Sequence, residues 1–218
     1  MSIKTITNFR DQLRGGGARP NLFEVNLGNF GGQAGLNVRT DWQQNAQRDF
    51  QFLCKATSMP TQTIGTVEIP FRGRILKVAG DRTFEPWTVT VINDESFSIR
   101  KAFEAWTEKI NNISSGVGEV NPNNYMGNGT IKQLSRAASL GDINTVDNAQ
   151  RVKHTYKVEE IWPSEIGSID LSYESSDAIE EFTVTFQIQY FTSEANPAQQ
   201  ELENAGANEL AGTTANIS

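Results

Sequence analysis

The most informative part of the sequence is residues 50–113, which read FQFLCKATSMPTQTIGTVEIPFRGRILKVAGDRTFEPWTVTVINDESFSIRKAFEAWTEKINNI. Its patterning predicts four successive elements: a strand over residues 50–55, a two-armed ribbon folded at Arg72-Gly73-Arg74, a strand over residues 87–92 and a helix over residues 94–113. The helix carries one apolar stripe at three- and four-residue spacing, formed by Ile99, Phe103, Trp106, Ile110 and Ile113. A single stripe of this kind predicts a helix that lies on a sheet.

The ribbon, a predicted β-hairpin over residues 61–83, is unusual for a core element. Val67, Ile69 and Phe71 alternate onto one face, as they would in a strand. Gly65 and Pro70 weaken an ordinary central strand, and several charged side chains favour water. An isolated two-stranded ribbon is marginally stable and needs a surface to pack against. Two alternatives remain open: the hairpin lies on its own sheet, or it projects and packs on another copy of the protein.

The rest of the chain is mainly β in pattern. Residues 181–190 alternate most clearly, with Phe182, Val184, Phe186, Ile188 and Tyr190 on one face and Thr183, Thr185, Gln187 and Gln189 on the other. Such alternation predicts an antiparallel sheet with one face on a core and one polar face. The expected fold class is therefore mainly β, with antiparallel sheets in a sandwich-like or barrel-like arrangement, one flanking α-helix and a long projecting β-hairpin.

The chain has the length of one ordinary domain with additions at both ends. We expect a flexible N-terminal arm over residues 1–17, a domain over residues 18–191 and a disordered or draped extension over residues 192–218. Within the domain, residues 28–48 are rich in Gly, Gln and Asn and predict a surface loop or insertion that contains Trp42.

The charge is acidic and unevenly distributed. The 218 residues carry a net charge of −7, with 12 Lys and Arg against 9 Asp and Glu in residues 1–100, and 7 against 17 in residues 101–218. This balance argues against tight nucleic-acid binding, which depends on Lys and Arg. No run of eighteen apolar residues predicts a membrane span, and the first residues lack a signal-peptide pattern, so we expect the chain to be made and kept in a cytoplasm.

Residues suited to catalysis or metal binding are few. His154 is the one histidine, and Cys54, the one cysteine, fits a core position better than a reactive thiol. Adjacent acidic pairs such as Glu159-Glu160 point to opposite faces of a strand and cannot form one carboxylate site. We therefore expect no enzymatic activity, no cofactor and no metal.

Several ordered segments resemble one known family. They are residues 18–23 (ARPNLF), 54–57 (CKAT), 78–84 (VAGDRTF), 87–91 (WTVTV) followed by 93–95 (NDE), 161–163 (IWP) and the closing strand 181–190. Together they resemble the tail tube proteins of T-even-type contractile-tailed bacteriophages. Residues 28–48 and the segment after residue 191 depart from the family pattern.

The resemblance implies a structural virion protein. It implies a homo-oligomer of six-subunit rings with a continuous inner β-barrel, stacked into a hollow tube that passes double-stranded genome DNA inside a contractile sheath. Implied partners are the tail sheath protein, the baseplate and the tail terminator proteins, with the protein located in the phage tail after assembly in the host cytoplasm.

Two sets of site residues follow from the hairpin and the closing strand. The expected subunit interface comprises Val67, Ile69, Phe71, Arg72, Arg74 and Ile75. The candidate lumen residues are Thr183, Thr185, Gln187 and Gln189, with Thr88 and Thr90 as the alternative set. Three other functions stay open: a tube-initiating baseplate protein, a secretion-system tube, and a glycan-binding β-sandwich that would use Trp42 and Tyr125.

Overall fold

The computed structural model describes residues 17–28, 41–135, 152–174 and 177–195, together with Ile6, Thr7 and Phe9. The chain divides into two compact units. The larger unit comprises residues 25–130 and 156–192, and the smaller one residues 1–24, 131–155 and 193–218. Most of the predicted N-terminal arm and C-terminal extension lies outside the described residues.

The described elements are mostly strands. In chain order they are β1 (Phe23–Gly28), α1 (Asp41–Leu53), β2 (Cys54–Thr57), β3 (Gln62–Phe71), β4 (Arg74–Phe84), β5 (Trp87–Ile92), α2 (Ser98–Ile110), a 3-10 turn (Pro122–Asn124), β6 (Gly127–Leu134), β7 (Val152–Ile166), β8 (Glu181–Gln187) and β9 (Tyr190–Ala195). One sheet has the strand order β1-β6-β7-β8-β5-β2, with β9 also paired to β7. Strands β3 and β4 form a separate two-stranded sheet. The predicted mainly β fold with a flanking helix and a long hairpin is thereby confirmed.

The core of the larger unit lies between α2 and the inner face of β5 and β8. These strands are antiparallel, with Trp87 opposite Phe186 and Val91 opposite Phe182. Phe103 of α2 is completely buried and contacts four aromatic rings. Its partners, with ring centroids 5.8–6.5 Å away, are Phe50, Trp106, Phe182 and Phe186. The single apolar stripe therefore does place this helix on the sheet.

Helix α2 is shorter at both ends than the predicted helix over residues 94–113. It begins at Ser98 after Phe97, which has a left-handed backbone with φ 55°. The Asp94 carboxylate nevertheless accepts hydrogen bonds from the Ser98 backbone N–H (3.2 Å) and the Ser98 hydroxyl (2.8 Å). Ile113, expected in the apolar stripe, follows the end of the helix and is 90% exposed.

Helix α1 corrects two predictions. Residues 41–48 were expected to be loop and residues 50–55 strand, but one helix spans Asp41–Leu53 and the strand begins only at Cys54. Phe50 and Cys54 are buried while Phe52 between them is 75% exposed. Buried residues therefore recur every four positions, as on one side of a helix, and not every two, as on one face of a strand. The apolar residues at positions 50, 52 and 54 led to the incorrect prediction of a strand. Residues 29–40 and the Trp42 side chain lie outside the described part of the chain.

Cys54 is an interior residue, as the sequence predicted. Burial raises the pKa of its thiol to about 12. The thiol is therefore protonated at neutral pH and a poor nucleophile.

The described part of the smaller unit contains segments of β1, β6, β7 and β9. Within it the Lys132 ammonium lies 3.0 Å from the Glu24 carboxylate. The Gln133 side chain donates to the carbonyl oxygens of Arg19 and Leu22, at 2.8 and 2.7 Å. These contacts fix the chain just before β1.

Candidate assembly surfaces

The hairpin formed by β3 and β4 has a two-residue turn. Arg72 and Gly73 both have positive φ, 46° and 81°, as a type I′ turn requires. This turn fixes the register, with Phe71 opposite Arg74, Ile69 opposite Leu76 and Val67 opposite Val78. Directly opposed residues share a face of a two-stranded sheet.

One face of the hairpin is consequently apolar and exposed to solvent. We call it the apolar hairpin face and define it by Val67, Ile69, Phe71, Leu76 and Val78. These side chains are 43–67% exposed. Soluble monomers seldom expose a continuous apolar surface of this kind unless it binds something. Of the two alternatives for the hairpin, a projecting ribbon is the one observed, since every residue of β3 is exposed.

The predicted interface residues do not all lie together. Arg74 shares the apolar hairpin face with Phe71, and the Arg72 guanidinium lies 5.4 Å from the centre of the Phe71 ring. Ile75, expected to act with Val67, Ile69 and Phe71, lies opposite Pro70 on the other face. That second face also carries the ion pair between Lys77 and Glu68, at 3.4 Å.

Leu76 and Val78 were missed from the sequence. The signal for them is the turn itself, because a two-residue turn at Arg72-Gly73 pairs Leu76 with Ile69 and Val78 with Val67. Without that register, Ile75 is the nearer and more conspicuous apolar residue.

The base of the hairpin is attached firmly to the larger unit. The buried Trp87 indole N–H donates to the Thr57 hydroxyl at 2.8 Å and the Ser58 carbonyl at 3.1 Å, where the chain leaves β2. Phe84, at the end of β4, packs edge-on against Phe191 with ring centroids 5.5 Å apart. The hairpin is therefore anchored at one end and exposed along its length.

A β-bulge interrupts the hairpin between Ile64 and Thr66. Gly65 and Gly80 face each other across it, and a methyl group added to Gly80 would lie 3.2 Å from the Gly65 carbonyl oxygen. A side chain at either position would make contacts tighter than usual, so the neighbouring atoms would have to shift by a few tenths of an ångström to accept it.

The second candidate surface is the outer face of β5 and β8. Thr88 lies opposite Thr185 and Thr90 opposite Thr183. The two alternative lumen sets from the sequence are thus neighbours on one surface. We call it the polar sheet face and define it by Thr88, Thr90, Thr183, Thr185 and Gln187.

Gln189 does not belong to that strand. Strand β8 ends at Gln187, the chain bends, and β9 begins at Tyr190, which is 43% exposed instead of pointing inward as predicted. The Gln189 backbone N–H donates to the Glu159 carbonyl at 3.4 Å. The break in β8 explains why its alternation could not be extended to residue 190.

Charges flank the polar sheet face. Glu165 of β7 is opposite Thr185, and the Lys55 ammonium lies 2.5 Å from the Glu181 carboxylate. The lysine charge is therefore neutralised locally, and the middle of the face consists of hydroxyl and amide groups.

The described residues give little support to a glycan-binding site, a metal site or a membrane-spanning helix. Tyr125, a proposed glycan platform, is half-buried, and its carbonyl accepts a 2.6 Å hydrogen bond from the Trp106 indole. Across the ranges that the structure describes, no group of three His, Cys, Asp or Glu residues could hold a metal ion. None of the helices described has the length and apolar character needed to cross a membrane.

Comparison with known proteins identifies the family. The sequence matches the family model described as phage tail tube protein over residues 18–194. The chain belongs to the phage tail tube protein family. The tail tube protein gp19 of Enterobacteria phage T4 is 30% identical over 178 residues, which cover 80% of this chain and 90% of that relative. The tail tube protein of Serratia phage KSP90 is 27% identical over 191 residues, covering 87% and 96%.

Solved structures agree on the fold. A chain in the cryo-EM structure of the anti-feeding prophage baseplate superposes with a TM-score of 0.54 at 12% identity, covering 83% of this tail tube protein and 97% of that chain. The sequence-based predictions of a tail tube protein, a structural and not an enzymatic role, and a place in the virion are confirmed by the family.

Proposed function

We propose that six copies of this tail tube protein form a ring, and that rings stack into a hollow tube through which genome DNA leaves the phage. The polar sheet face lines the lumen in this proposal. The observation that carries it is the register that places Thr88 and Thr90 opposite Thr185 and Thr183. It creates one surface of hydroxyl and amide groups on the side of the sheet away from the core, bordered by Glu165 and by the Lys55–Glu181 ion pair.

Such a surface suits a conduit. Tight binding of DNA depends on cations that pair with phosphates, and binding of that kind would retard passage. The central residues of the polar sheet face carry no charge, and Lys55 at its margin is neutralised by Glu181. The proposed lumen surface is therefore polar and binds the phosphate backbone of DNA only weakly.

The apolar hairpin face supplies the contact between copies. Its five side chains are already exposed in the isolated chain and gain stability by burial against a neighbour. Contacts between unlike surfaces of identical subunits close into a ring by rotation, or continue as a stack by translation. Obligate interfaces commonly bury about 2,000 Å² or more and have an apolar centre, the role we propose for this face.

The proposed partners are the sheath outside the tube, the baseplate at one end and a terminator protein at the other. The support is family membership and the similar fold of a chain from the anti-feeding prophage baseplate.

Negative-stain electron microscopy and sedimentation of the purified chain, with and without phage baseplates, test the proposal. We expect hollow filaments with a regular axial repeat and six-fold end views. A chain that stays monomeric and also fails to extend supplied baseplates would refute it.

A matched pair of variants tests the hairpin. Leu76→Asp places one charge on the apolar hairpin face, at a side chain as exposed as that of Ile75, and should abolish tubes while leaving a folded monomer. Ile75→Asp adds a charge at the same height on the opposite face and should reduce assembly far less. Equal loss in both variants would show that the hairpin has no preferred docking face.

A further inference from the structure

The loop between β7 and β8, described over residues 167–174 and 177–180, is a second exposed apolar segment of the larger unit, as is the loop after α2 with Ile113, Val117 and Val120. Leu171 and Ile179 are 80% and 70% exposed, and Tyr173 is fully exposed. Beside them is a cavity of about 280 Å³ lined by residues 168–172 and 178–181. A cavity of this size holds several water molecules, which one large side chain can displace.

The loop is also acidic. Residues 167–180 contain Asp170, Glu174, Asp177 and Glu180, and no Lys or Arg. The hairpin tip is basic, because Arg72 lies in the turn and Arg74 follows it, while Lys77 pairs with Glu68 further from the tip. The chain thus has two separate surfaces with exposed apolar residues. One of them is surrounded by acidic groups and the other by basic groups. Complementarity of this kind guides register between partners.

The two surfaces lie at opposite ends of β5. The hairpin leaves the sheet at the Trp87 end, where Phe84 and Trp87 anchor it. The loop returns to the sheet at the other end, where the Asn93 backbone N–H donates to the Glu180 carbonyl at 2.9 Å. Surfaces at opposite ends of one subunit make head-to-tail contacts that can repeat indefinitely.

We propose that the hairpin tip of one copy docks on the β7–β8 loop of a neighbouring copy. Phe71 occupies the cavity beside Leu171, and Arg72 and Arg74 face the carboxylates of Asp170 and Glu174. This inference rests on the proposed tube function and assigns the receiving site that the hairpin requires.

Cysteine crosslinking tests the contact directly. The native Cys54 is buried with a pKa raised to about 12, so it contributes little background. A mass-tagged Phe71→Cys chain mixed with an untagged Leu171→Cys chain should give a disulfide-linked heterodimer in tubes. Ile113→Cys, at an even more exposed position in the loop after α2, is the control and should give none with Phe71→Cys.

Charge reversal provides an independent test that leaves the cavity intact. Arg72→Glu with Arg74→Glu should abolish tubes, and mixing that chain with one carrying Asp170→Arg and Glu174→Arg should restore them. The hairpin variant carrying Glu104→Arg on α2 in the same chain, with no second chain added, should stay unassembled.

The outcomes separate the two proposals. Normal tubes from the wild-type chain without the heterodimer, and without recovery by the second charge reversal, would overturn the docking contact and leave the tube function standing. Wild-type chains that form no tubes, even on baseplates, would overturn both.

Discussion

Thr88 of β5 and Thr185 of β8 lie directly opposite each other on the outer face of the sheet. If this face lines the lumen, new positive charges there will hold DNA phosphates. Thr185→Lys with Gln187→Lys should therefore form normal tubes but release DNA more slowly. The measurement is the time course of DNA ejection from particles built with the variant. Asn123→Lys, in the exposed 3-10 turn, is the control, and equal slowing by the control would argue against this lumen assignment.

Phe103 should be the most costly single truncation in the larger unit. It is completely buried and contacts four aromatic rings, so Phe103→Ala leaves a cavity at the junction of α1, α2 and the sheet. We expect a loss of about 3–5 kcal/mol in the free energy of unfolding, measured by urea denaturation. Phe52→Ala removes the same ring from an exposed position and should change stability by less than about 0.5 kcal/mol.

The hairpin turn should respond to backbone substitutions in opposite directions. Gly73 has φ 81° with no atom within 4 Å of an added methyl group, so Gly73→Ala costs only backbone strain. That strain is roughly 1 kcal/mol, which should raise amide hydrogen exchange in β3 and β4 about fivefold. Arg72→Asn, which better tolerates left-handed backbone, should slow the same exchange. Unchanged exchange in both variants would contradict the turn assignment.

Asp94 should make stability depend on pH in acid. Burial raises the pKa of this carboxyl, but hydrogen bonds from the Ser96 and Ser98 side chains and from the backbone of Ser98 and Ile99 outweigh it and lower the pKa below its ordinary 3.8. The ionised form is thus favoured in the folded state. Its contribution is complete above the ordinary pKa and is lost as the pH falls through the lowered folded value.

The variant Asp94→Asn isolates this contribution, because the other carboxyl groups are common to both proteins. Wild type should be the more stable at pH 7, and the difference between the two free energies of unfolding should shrink below about pH 4. A difference that stays constant down to pH 2 would show that ionisation of Asp94 is not involved.

The sequence predicted the elements whose burial follows a regular period. Phe103 and Trp106 mark the core stripe of α2, and the alternation from Phe182 to Phe186 correctly separates the inner and outer faces of β8. The hairpin was evident from Arg72-Gly73-Arg74, and its exposure from the charges and glycines along its arms. Each of these features depends on residues that are close together in the sequence, so one sequence is enough to predict it.

The sequence was not sufficient where the structure depends on contacts between residues far apart in the chain, or on the register of paired strands. Phe50, Phe52 and Cys54 fit both a strand and a helix over so short a stretch, and the burial of Phe50 against Phe103 is a tertiary contact that the sequence does not reveal. Ile75, predicted as an interface residue together with Val67, Ile69 and Phe71, lies on the other face of the hairpin, which only the register of the two strands shows. That Thr88 and Thr185 share one surface depends on β5 pairing with β8, which lie far apart in the sequence.

The glycine pair at the hairpin bulge has a mechanical consequence. Phe84 clamps the base of the hairpin, the bulge at Gly65 and Gly80 lies just beyond it, and the apolar face extends from there to the tip. A bulge with glycine on both strands has fewer side-chain contacts to resist bending than the paired ladder on either side of it. In the proposed tube, we therefore expect a load on the hairpin tip to bend the hairpin at this bulge before it deforms the sheet that lines the lumen.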